Sequence, residues 1–206
     1  MVTATSPNRT PHEFRSRDFR GGHPVIDFVN TVTARNTTAP EDWLDSYATL
    51  LRWASLSALT IPAGAATVEA DRADAQTEMR RCRELREALH ATMTAVLDDV
   101  PVPRSAAATL QANWRHAATH VHLELSSTPF RLRHDQPGPA LSVVRRTLTA
   151  AAVELLIDLP RERIRRCPGE RCGWIFLDTS KAGRRRWCDM ATCGTADKNR
   201  RRQPSP

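Results

Sequence analysis

The chain has 206 residues, 40% of them apolar, which is enough for a packed core but for little more than one medium domain and a small module. This excludes disorder throughout, and without a membrane-length apolar run or an apolar leader after Met1 the sequence reads as a cytoplasmic protein that meets no membrane. Its net charge of +7 is unevenly spread: thirteen Lys or Arg stand against five acids between Arg161 and Arg202, a balance of +8, which leaves the rest at −1.

Residues 1–20 are polar, contain Pro and Arg and lack a period, which predicts a flexible arm. The apolar stretch His23–Thr31 is the first expected ordered element. Asp27 and Asn30 interrupt it and need partners if buried; a local cap would satisfy them, and so would a ligand pocket in the helical domain. Thr38-x-x-Glu41 has the form of a capping box, with Pro40 in the first turn. Trp43, Leu44, Tyr47, Leu50, Leu51 and Ala54 follow at helical spacing and predict a helix of about four turns, broken at Ile61-Pro62-Ala63-Gly64.

A long helical period runs from about Ala65 to Asp98, with Met79, Cys82, Leu85, Leu89, Val96 and Leu97 on its core face. The lone Cys82 on that face reads as an inert buried thiol. After Val100-Pro101-Val102-Pro103, a further helix over roughly Ser105 to Ala118 turns Ala107, Leu110, Trp114 and Ala117 inward. His116-x3-His120, with His122 near, can place imidazoles on one side. They lack a ligand-spaced carboxylate except Glu124 and read as packing or surface residues. Alternation at Val121, Leu123 and Leu125, and again over Phe130–Arg133, predicts a short hairpin. Pro137-Gly138-Pro139 opens a last core helix with Leu141, Val144, Leu148, Ala151, Leu155 and Leu159 in register, stopped by Pro160. The expected organisation is an arm at 1–20, a helical domain at 21–160, a cysteine module at 161–202 and a tail at 203–206.

The module carries two matched pairs, Cys167-x4-Cys172 and Cys188-x4-Cys193. In a cytoplasmic chain such pairs favour a metal over disulfides. All seven histidines precede residue 161, so the nearby ligands are thiolates, and four of them suit one tetrahedral structural Zn(II); an iron–sulfur cluster is the alternative. Such a site contributes about 10–16 kcal/mol to folding, more than Trp174, Ile175, Phe176 and Trp187 could supply by burial. Five residues separate Cys188 from Cys193, about 140° around a regular helix, so one continuous helix cannot present both. Either Cys188 precedes the helix or Gly194 breaks it. Arg184, Arg185, Arg186, Lys198, Arg200, Arg201 and Arg202 flank the pairs and are expected to meet phosphates of DNA.

These residues carry a resemblance. Cys-x4-Cys-Gly-Trp-x-Phe-x-Asp-x-Ser from Cys167, followed by Arg-Arg-Trp-Cys-x-Met-x-x-Cys-Gly from Arg185, resembles the CGNR zinc finger of bacterial regulators. Asp27-Phe28-x-Asn30-Thr31 and the Trp43 segment resemble the ABATE domain that usually precedes that finger. In place of the signature Asn-Arg, Thr195-Ala196 follow Gly194. The resemblance implies a mainly α protein, a helical domain with a small hairpin plus a C-terminal four-cysteine finger. It further implies a transcription regulator that contacts DNA and whose helical domain senses a small-molecule effector or forms a homodimer. A zinc-stabilised protein- or RNA-contact module and a redox-responsive thiol switch are the alternatives. No Gly-x-Ser-x-Gly, phosphate-cradling glycine loop or HExxH is present, and no catalytic role is expected.

Overall fold

The structure is a computed structural model that describes residues 10–61, 72–126, 128, 131–133 and 140–202. It contains six α-helices and three two-stranded antiparallel sheets among those residues. Helix α1 spans Pro24–Val29; the extended His23 precedes it and its ring Nδ1 accepts the Val25 N–H, while proline occupies the first turn, where no N–H is required. Val25, Ile26, Phe28 and Val29 are wholly buried.

Strands β1 (Val32–Thr33) and β2 (Glu41–Asp42) follow, then helix α2 (Tyr47–Leu56), capped by the Ser46 hydroxyl on the Thr49 N–H. The expected capping box at Thr38 is therefore not the start of a helix. Asp42 is drawn into a strand because its two carboxylate oxygens take the fork of the buried Arg86, at 2.8 and 2.7 Å, and Oδ1 also accepts the Leu44 N–H. Tertiary ion pairing overrides the local helix signal, and Trp43 is freed to pack elsewhere.

Helices α3 (Arg72–Asp98), α4 (Arg104–Ala118) and α5 (Val143–Ile157) form the body of the helical domain. The stretch before Arg72 in the expected long helix lies outside the described residues. Met79, Cys82, Leu85, Leu89 and Met93 of α3 meet Val144, Leu148, Ala152 and Leu155 of α5 in one core with α1 and α2. The Cys82 thiol is completely buried, and burial pushes its pKa up, as an inert core thiol requires. Strands β3 (His122–Glu124) and β4 (Arg131–Arg133) form the predicted hairpin, with Leu123 opposite Leu132.

The finger adds strands β5 (Ile164–Arg166) and β6 (Ile175–Leu177), paired Ile164 to Leu177, and helix α6 (Thr195–Arg202). Strand β5 is absent from the sequence reading because Ile164-Arg165-Arg166 has too little apolar content to announce a strand. Ile164 and Ile175 belong to the core of the helical domain, so the finger shares a hydrophobic interior with it. The amide of Asn30 completes the joint: Nδ2 donates to the Ile175 carbonyl at 2.8 Å, and Oδ1 accepts the Ile175 N–H at 3.0 Å.

Residues 10–20 do not behave as an arm. Phe14 and Phe19 pack on the core, and the His12 ring stacks on Trp43 with centroids 4.0 Å apart. Three rings in an otherwise polar stretch are enough to dock it. Residue 9 and those before it lie outside the described residues. No helix among the described residues is long and apolar enough to cross a membrane.

Candidate metal centre and basic surface

The four cysteines come from two turns brought face to face. The first starts where β5 ends: Cys167 donates its N–H to Trp174 O at 2.8 Å, and Cys172 donates to Gly169 O at 3.1 Å. Gly173 holds φ +70°, and a Cβ there would lie 3.0 Å from the Asn36 backbone nitrogen, so glycine is required at this close approach. The same Asn36, in the loop between β1 and β2, donates its side-chain amide to Gly169 O at 2.8 Å. The helical domain thus grips the first turn directly.

The second turn resolves the spacing problem of Cys188 and Cys193. Cys188 precedes the helical segment, Asp189 caps it by accepting the Ala191 and Thr192 N–H groups, and Met190–Gly194 forms one wide π-type turn before α6. That wider turn swings Cys193 back toward Cys188, their sulfurs 3.6 Å apart, as a regular helix would not.

All four sulfurs lie within 4.8 Å of one another, and Cys172 Sγ is 3.6 Å from Cys188 Sγ. A tetrahedral Zn–S length of about 2.3 Å places sulfurs about 3.8 Å apart, and the four thiols converge closely enough to hold one zinc ion. Gly169 completes the cradle, since a Cβ on it would stand 3.1 Å from Cys193 Sγ and 3.5 Å from Cys167 Sγ. Trp174, Phe176, Trp187 and the partly buried Trp43 wall the site. Four thiolates leave no open coordination position, and this chemistry defines a structural zinc rather than a catalytic one.

The basic residues divide into two groups. Arg185 is consumed inside the finger: Nε donates to Trp187 O at 2.9 Å, Nη2 donates to Arg20 O at 2.9 Å and to Cys188 O, and the guanidinium lies 4.6 Å over the Phe176 ring. Its guanidinium thus serves as a brace between the finger's own backbone, the Phe176 ring and Arg20. Its backbone N–H is held by Asp178 Oδ2 at 2.7 Å, and Asp178 Oδ1 also accepts from Ser180. The Asp-x-Ser spacing in the sequence carried that signal.

Arg200 bridges Glu170 at 2.8 Å and Asp197 at 2.6 Å, tying α6 to the first turn, and Arg201 pairs with Asp197 at 3.0 Å. Arg184, Arg186, Lys198 and Arg202 are exposed and form no ion pair among the described residues; Arg186 lies over the Trp187 ring at 5.0 Å. Lys198 and Arg202 are four residues apart and share one face of α6. Thr195 and Ala196, at the signature positions, sit exposed in its first turn, with the Thr195 hydroxyl on Met190 O.

Asp27 and Asn30 are committed to protein partners. Asn30 clamps Ile175, and Asp27 Oδ1 accepts the Gly21 N–H at 2.7 Å. Burial pushes the Asp27 carboxyl up to about 6, against that hydrogen bond and the pull of Arg185 and Arg20. Asn30 thus lies on the seam between domain and finger, while Asp27 is tied to Gly21 within the domain. His116 and His120 stand with ring centroids 5.4 Å apart, and His120 Nδ1 faces the His116 carbonyl rather than a shared metal. The side chain of His122 lies outside the described residues.

A closed four-thiolate centre set in a basic β-hairpin and helix, joined to a mainly helical domain, is the build of a protein with a structural zinc finger. The family profile described as "Putative stress-induced transcription regulator", ABATE, matches residues 22–159, and the CGNR zinc finger matches residues 163–203. The chain belongs to the ABATE family and ends in a CGNR zinc finger, which holds one structural zinc through Cys167, Cys172, Cys188 and Cys193. No curated protein matches it.

Proposed function

We propose that the protein is a DNA-binding transcription regulator of the cytoplasm in which the finger meets the duplex and the helical domain supplies regulation, by an effector or by self-association. The observation that carries this reading is the placement of charge. The +8 of residues 161–202 is confined to the finger, and after internal ion pairs are subtracted Arg184, Arg186, Lys198 and Arg202 still face solvent. An exposed cationic set on a rigid metal-closed frame, with two members on one helix face, is what phosphate contact requires. Arg200 and Arg201 contribute less, because Glu170 and Asp197 already neutralise them. No catalytic role is assigned, since the metal has no open position.

Fluorescence anisotropy of the zinc-loaded chain on duplex DNA tests the reading. Four phosphate contacts predict a slope of log K against log salt of about −3.6, and selection from random duplex should enrich one sequence. A slope near zero overturns DNA binding; retention without enrichment supports a general polyanion contact instead.

A further inference from the structure

We propose that Arg146 anchors a binding site for the carboxylate of a small organic acid, between α4 and α5 of the helical domain. Arg146 is 5% exposed, and its Nε and Nη1 are buried without a hydrogen-bond partner. The side chain does not escape along the helix surface: Ser142, Val143, Thr149 and Ala150, its neighbours one turn to either side, are buried as well.

The adjacent Arg145 shows how the same interior treats a cation that is provided for. It is equally buried, and its Nε and Nη2 donate to the two oxygens of Glu78 at 2.5 and 3.2 Å, while Nη1 donates to Asn113 Oδ1 at 2.8 Å. Glu78 is thereby spent, its remaining reach turned to Arg81 at 3.6 Å. Among the described residues no carboxylate pairs with Arg146, which Glu78 reaches only at a distance. A buried guanidinium without a counter-ion is strongly unfavourable, and no described residue supplies one here, so a bound anion would relieve that cost.

A second orphan lies on the facing helix. His116 Nε2 is buried and has no hydrogen-bond partner. Burial, then Arg145, His120 and Arg146, hold its pKa below the usual imidazole value, with Glu78 opposing, so the ring is neutral at pH 7 and offers a polar contact without a second charge. One net positive charge, a planar guanidinium and a neutral imidazole match a monoanionic carboxylate better than a dianionic phosphate. The proposal rests on the regulatory role given to the helical domain and names the class of its effector.

Thermal unfolding of the zinc-loaded full chain at pH 7, in sodium acetate or sodium benzoate against sodium chloride and sodium phosphate of equal ionic strength, tests it. A carboxylate at about ten times its Kd should raise Tm by about 3 °C or more, with no comparable shift in chloride. Arg146→Met should abolish the shift and melt in chloride no lower than the wild type, because it removes an unpaired buried charge. Arg146→Lys, which keeps the charge and loses the fork, should weaken the carboxylate at least tenfold by calorimetric titration. Equal shifts in all salts, a larger shift in phosphate, or a carboxylate shift that survives either substitution overturns the site. DNA affinity in carboxylate-free buffer is read separately: its loss with the shift intact overturns the regulator and leaves the site, and the reverse overturns the site alone.

Discussion

The side-chain amide of Asn30 pairs with both backbone groups of Ile175, across a sequence separation of 145 residues. Asn30 acts as a one-residue strand on the open edge of β6, and the N–H of Leu177 continues the pairing by donating to Gly21 O at 2.7 Å. Gly22, at φ +81°, allows that approach, since a Cβ there would fall 2.8 Å from Leu177 O. The finger is therefore built against the helical domain, and its edge is finished by it.

Asn30→Ala leaves the buried N–H and C=O of Ile175 without partners. Two unsatisfied buried groups cost about 2–4 kcal/mol together, and urea denaturation should show that loss. Zinc release, followed with a metal-sensitive chromophore and reporting on the finger, should then part from far-ultraviolet circular dichroism, which reports on the helices. Coincident and unshifted transitions would refute the clamp.

Metal removal should reach beyond the finger. Because Ile164 and Ile175 are core residues of the helical domain, a chelator that strips zinc should lower the melting temperature of the whole chain rather than release a separate unfolded tail. Metal analysis should return one zinc per chain. Serine at Cys167, Cys172, Cys188 or Cys193 should abolish it, and Cys82→Ser should keep it. Gly169→Ala should also weaken zinc retention, as its methyl group would press on Cys193 Sγ.

Arg185 and Arg186 should behave differently despite adjacency. Arg185→Ala removes the donors on Arg20 O, Trp187 O and Cys188 O and should destabilise the fold by about 2–4 kcal/mol. Arg186→Ala should leave stability within about 0.5 kcal/mol and reduce the salt slope of DNA binding by about 0.9. Similar melting curves for the two variants would contradict the division.

Asp27 makes a signed pH prediction. Its folded carboxyl titrates at about 6 against 3.8 when unperturbed, so between those values the folded state holds a proton the unfolded chain has released. The contribution is fully favourable below about pH 4, is lost as pH rises through 6, and the ionised group then costs up to about 3 kcal/mol. Asp27→Asn keeps an oxygen for the Gly21 N–H and removes the titration. The variant should exceed the wild type by about 1–3 kcal/mol at pH 7.5 and match it near pH 4; a difference independent of pH would rule out the raised carboxyl.

Much of the fold is legible in the residues. Helical spacing marked α3, α4 and α5, alternation marked the β3–β4 hairpin, and Cys188-x4-Cys193 already ruled out a continuous helix. The failures share one cause. Thr38-x-x-Glu41 has a good local helix signal, yet Asp42 is claimed by Arg86, 44 positions along the chain. Arg185 reads like its neighbours Arg184 and Arg186 because nothing in a run of arginines says which one lies over Phe176.

By itself the sequence determined the chemistry: four thiolates for one closed zinc site, the confinement of positive charge to the last quarter, and the periods that make helices. These follow from residue type and short spacing. Only the tertiary structure decided the partners, because a contact between Asn30 and Ile175, or the absence of one for Arg146, depends on which distant segments packing brings together. The paired cysteines were visible from the start; the seam that binds them to the helical domain was not.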